Sequence, residues 1–148
     1  MAGQKTKVTS VSVKDFIANV DNETRRKDAE TLLKLFEKAT GWKPQMWGPT
    51  IVGFGRYDYT YDTGHTGSIC VTGFSPRSSK LVIYAQPDGA NTADLLRKLG
   101  KHKGGVDSCL YINKLADVDI AVLEDVIKAG VRNMKKLAAE KKWPVSAT

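Results

Sequence analysis

The sequence predicts an α+β domain, with helices packed against one face of an antiparallel sheet of about five strands in the order ααββββαβα. Three observations carry this reading. Apolar residues recur at helical spacing toward both ends of the chain. In the middle, Tyr57, Tyr59 and Tyr61 alternate with Asp58, Thr60 and Asp62, the period-two pattern of a half-exposed strand. Glycine- and proline-containing turns separate short apolar runs at hairpin spacing. A length of 148 residues with 41% hydrophobic and 26% charged residues suits one soluble domain with its own core. We expect that domain over residues 10–140, between a flexible basic tail over 1–9 and a C-terminal tail over 141–148.

Each element has a local cause. Ser12 can cap a short helix whose Val13, Phe16, Ile17 and Val20 share one face. Asp21 or Asn22 can cap a second helix over about residues 23–39, where Ala29, Leu32, Leu33, Phe36 and Ala39 form a stripe and Gly41 ends the run. Strands are expected over residues 50–55, 57–61, 68–74 and 80–85, with a turn at 63–67 and a connection at 75–78. A short helix over 92–99, capped by Asn91 or Thr92, leads into a loop framed by Gly100 and Gly104-Gly105. A strand over 108–112 precedes the last helix, from Asp117 or Asp119 to about Glu140, and Pro144 closes it off. Gly130 inside that helix costs about 1 kcal/mol against Ala and is expected at a close helix–sheet contact.

The charge is uneven. The chain carries 23 Lys plus Arg and 16 Asp plus Glu, a formal +7. Residues 1–14, 95–106 and 134–148 hold +3, +4 and +3, which leaves −3 for the remainder. Such an excess can attract nucleic acid or an anionic surface. No zinc-finger spacing, leucine zipper or aromatic RNA-binding signature accompanies it, so nucleic acid is not the expected partner and the tails read as solvated. No apolar run approaches the roughly 20 residues of a membrane-spanning helix. The N-terminal stretch has no apolar core of a secretory signal, so the expected address is the cytoplasm, as a monomer or homodimer.

The residues with chemical potential form four sets. Cys70 and Cys109 belong to no Cys-x-x-Cys pair and read as buried, reduced thiols. Lys101, His102 and Lys103 lie between Gly100 and Gly104-Gly105, where converging backbone N–H groups and positive side chains could cradle a phosphate or carboxylate. The loop is not a P-loop, since a helix precedes it instead of following it. Trp42, Trp47, Pro44 and Pro49 make a rigid aromatic segment before Gly53 to Gly55, with Arg56 and Tyr57 at its rim, and such walls suit a small-molecule pocket or a core edge. Asp15, Asp21, Glu23, Asp28 and Glu30 could hold a hard cation, but Arg25, Arg26 and Lys27 interleave with them as a salt-bridged face would. His65 and His102 match no zinc or iron spacing, and no Gly-x-Ser-x-Gly elbow is present.

Several of these residues carry a family resemblance. Val11 to Phe16, then Arg25, Arg26 and Asp28, Met46-Trp47-Gly48-Pro49, Gly100-Lys101-His102-Lys103 and Ser108-Cys109-Leu110-Tyr111-Ile112 make residues 10–137 similar to the YdhG-like domain-of-unknown-function family, small bacterial α+β proteins. The resemblance implies helices against an antiparallel sheet. It also implies, through a branch described as frataxin-like, an intracellular iron chaperone using acids such as Asp15, Asp21, Glu23, Asp28 and Glu30. The leading expectation is a non-enzymatic domain without a cofactor that binds a small anion or a protein partner. Lys101, His102, Lys103, Trp47, Arg56 and Tyr57 are its candidate contacts. An iron chaperone is the alternative and a small enzyme the third reading.

Overall fold

A computed structural model describes residues 8–85, 92–105 and 109–147. Three of its helices begin under the expected caps. Helix α1 is Val13–Ala18, with the Ser12 hydroxyl accepting from Asp15 N at 3.2 Å. Helix α2 is Glu23–Thr40, where Asn22 Oδ1 accepts from Arg25 N at 2.9 Å and Gly41 closes the end. Helix α3 is Thr92–Leu99, and α4 is Ile120–Lys141 under an Asp119 cap that accepts from Ala121 N at 2.9 Å. The expected cap Asn91 and the expected strand residue Ser108 lie outside the described residues.

The strands depart from the five expected. Ten occur among the described residues, in two sheets whose pairs are all antiparallel. They are β1 Val8–Thr9, β2 Pro44–Trp47, β3 Ile51–Phe54, β4 Arg56–Thr60, β5 Thr66–Ile69, β6 Thr72–Pro76, β7 Leu81–Tyr84, β8 Lys103–Gly104, β9 Leu110–Ile112 and β10 Val145–Ser146. The larger sheet runs β1-β2-β3-β6-β7-β9-β8 and the smaller β10-β4-β5.

The difference has a physical reason. The hairpin of β3 and β6 continues past a bend into the hairpin of β4 and β5. Gly55 breaks one arm and Cys70-Val71 the other, so the apolar run expected over 68–74 is shared between two sheets. At Gly55 φ is +72°, and a Cβ there would run into the Trp42 ring. Only glycine combines that backbone with that close approach. The remaining extra strands are two-residue edges, too short for a period to show, together with β2, whose Pro44 and Trp47 read as a loop wall.

Both expected tails contribute edges. Val8 pairs with Trp47, and Val145 pairs with Tyr57. The core lies between the larger sheet and the helices. Phe36 of α2 stacks on Phe54 and meets Phe74, each at 5.3 Å between ring centroids. Leu32 and Ala29 of α2, Leu123, Val126 and Ile127 of α4, and Val52, Leu81, Ile83, Leu110 and Ile112 of the strands complete it. Gly130 is buried in α4. No helix among the described residues is long and apolar enough to cross a membrane.

Candidate anion-binding pocket

The register of the larger sheet builds a pocket at one end. Strand β9 is flanked by β7, with Leu81 opposite Ile112, and by the edge strand β8, with Lys103 opposite Tyr111. Leu110 and Ile112 are buried in the core, so the alternation of the strand turns Tyr111 to the other face. Ser79 and Lys80 enter β7, Asn113 leaves β9, and the loop of Lys101 and His102 closes the rim. Together with Lys103, Tyr111 and Ile112 they line a cavity of about 220 Å³.

The lining is cationic and rich in donors. Lys80, Lys101 and Lys103 are three of the lining residues, and among the described residues none that line the cavity is acidic. Lys80 Nζ stands 5.2 Å from the centre of the Tyr111 ring, a distance at which the ring face attracts the cation. His102 Nδ1 lies 2.7 Å from the Gly100 carbonyl oxygen. A carbonyl can only accept, so Nδ1 carries a proton, and in the neutral ring Nε2 is then an acceptor that meets a protonated ligand oxygen, such as the hydroxyl of monohydrogen phosphate.

The loop is fixed by what lies behind it. Lys101 N donates to Asp117 O at 3.1 Å and Asp119 N donates to Leu99 O at 2.7 Å, with Gly100 bridged to Val118 between them. Gly100 sits at φ +115°, and a Cβ there would strike the Asp117 carbonyl oxygen. The 113–117 segment is in turn clamped by α2. The buried Arg25 donates to Asn113 O, and Asp28 Oδ2 accepts from Leu115 N at 3.1 Å. Arg26 donates to Val20 O at 2.9 Å and ties α1 to the same end.

The expected residues separate accordingly. Lys101, His102 and Lys103 come together in the pocket. Trp47, Arg56 and Tyr57 do not line it. Trp47 is fully buried in β2, with its ring beside Gly53 and Cys70, and its Nε1 has no partner among the described residues. Arg56 is spent on Asp58 at 3.0 Å and Ser68 at 2.8 Å. The Ser68 hydroxyl and the Arg56 guanidinium hold the Asp58 carboxyl below its usual range. Tyr57 stacks on Trp143 at 6.0 Å, and burial pushes its phenol up to about 12.

Two of the five candidate acids are engaged apart from one another. Glu23 pairs with Lys27 at 3.1 Å, and Asp28 holds Leu115. Among the described residues no three of His, Cys, Asp and Glu group as metal ligands would. Both cysteines are free thiols, and Cys109 is only half-buried, whereas the expectation has both buried.

Sequence reasoning missed Ser79, Lys80, Tyr111 and Asn113. Their one signal is position, since each lies in or at the end of a strand recognised by its apolar run, but which strands pair is not written in that run. No family model, curated protein or solved structure matches this chain.

Proposed function

We propose that the chain is a binding domain for a small anion, held in the pocket of Lys80, Lys101, His102 and Lys103. The observation that carries the reading is the convergence of three lysines and a histidine on one cavity with no acidic residue in its lining among the described residues. Several like charges set around one space repel one another, and an anion between them relieves that repulsion. Ser79, Asn113 and the Tyr111 hydroxyl add neutral hydrogen-bonding groups, which suits a phosphate with several oxygens better than a lone halide.

We further propose that the chain belongs among the YdhG-like proteins, on the residues that carry that resemblance. Arg25 and Asp28, which carry part of that resemblance, clamp the strand exit beside the pocket, and Lys101 to Lys103, which carry another part, form its rim. These motifs then serve the site through positioning.

Calorimetric titration of the whole chain with inorganic phosphate tests the proposal. Saturable binding is expected, weakened at least about tenfold when Lys80, Lys101 and Lys103 are all replaced by Ala, because two or three charge-assisted bonds are lost. Equal affinity in the wild-type and triple-variant proteins, both folded by circular dichroism, would exclude the pocket.

A further inference from the structure

A second groove lies beside the smaller sheet, where no residue of the anion pocket reaches. It encloses about 470 Å³ between Trp42, Lys135, Ala139, Trp143 and residues 145–147. We propose that it binds a planar aromatic acid, with the ring against the two indoles and the acid group on Lys135.

Both walls are fixed from outside. Trp42 lies over Gly55. Trp143 stacks on Tyr57 at 6.0 Å and 13° between planes, and its Nε1 donates to Thr60 O at 3.2 Å. Those supports hold the indoles in place without a ligand, so little side-chain freedom remains to be lost on binding. The volume falls within the roughly 300–1,000 Å³ of small-molecule sites, and an indole wall favours a flat, polarisable ring.

Charge selects the ligand's other end. Lys135 Nζ stands 5.0 Å from the centre of the Trp42 ring and has no acidic partner among the described residues. Among the described residues the groove lining contains no carboxylate side chain. A ligand cation would have to displace Lys135 from the indole face, whereas an anion pairs with it in place. One lysine suits a monoanion such as a carboxylate better than a phosphate dianion. Lys135 and Ala139 are four residues apart in α4 and share a face, so the cation sits one turn from a side chain small enough to leave room for the ring.

The probe is 2-naphthoate, titrated into the whole chain while tryptophan emission is followed. Saturable quenching is expected, about tenfold weaker for the neutral 2-naphthamide and for Lys135→Met, which keeps the aliphatic stem and removes the charge. Ala139→Leu fills the groove at an exposed helix position and should abolish binding while thermal unfolding stays unchanged. Inorganic phosphate at saturation should not compete, which separates this site from the lysine pocket. Absence of saturable quenching, equal affinity for the amide, or full affinity in both variants overturns the proposal.

Discussion

At the scale of single residues, the bend between the sheets rests on position 55. A residue with a Cβ there meets two penalties together, the left-handed backbone at φ +72° and the Trp42 ring. Gly55→Ala is therefore expected to cost about 2 kcal/mol or more, read as a lower midpoint in urea unfolding with an unchanged slope. Its effect should reach Trp42 fluorescence as well. In the sequence, Gly55 reads as one more glycine in a Gly-Phe-Gly run ahead of the tyrosine ladder. The alternation of Tyr57, Tyr59 and Tyr61 was legible because a strand with one wetter face imposes period two on its own residues. The close approach of Trp42 was not, because it depends on where α2 ends in space.

At the scale of elements, the link between α2 and the pocket is the informative one. Asp28 accepts from Leu115 N and Arg25 donates to Asn113 O, so one turn of α2 sets the exit of β9. Asp28→Ala should leave Leu115 N unpaired, cost about 1–3 kcal/mol and weaken phosphate binding although position 28 does not line the pocket. Asp28→Asn, which keeps an accepting oxygen, should restore most of both, and titration beside thermal melting distinguishes this from general loss of fold. Helix ends were readable in advance, since Ser12, Asn22, Asp119 and Gly41 act on their own neighbours. Edge strands were hidden for the opposite reason. Two residues of β8 or β10 contain no period, and their pairing is decided by partners far along the chain.

At the scale of the whole molecule, stability should depend on pH in the alkaline range. Burial lifts the Cys70 thiol from 9.0 to about 12, and burial likewise lifts the Tyr57 phenol from 10.0 to about 12. Both groups are neutral when protonated, so above about pH 9 the unfolded chain holds fewer protons than the folded one, and stability falls as pH rises. The contribution is complete below about pH 9 and is lost on approach to 12. Urea midpoints measured from pH 8 upward should decline steadily, and Cys70→Ala should flatten the first part of that decline. The net charge of +7 also acquires a place. The Lys101–Lys103 loop forms a pocket with Lys80, and the C-terminal basic stretch contributes Lys135 to a groove and Val145 to a sheet.

Strand β10 has one more consequence, for the order of assembly. Its partner Tyr57 is separated from Val145 by most of the domain, including all of β5 to β9, α3 and α4. Closing so long a loop repays its entropy only after the intervening elements have collapsed around the core. The hairpin of β4 and β5 is local and can form early, but it waits for Trp143 to cover its tyrosines. Completion of the smaller sheet thus reports that α4 has already docked, so tryptophan stacking on Tyr57 marks the end of folding.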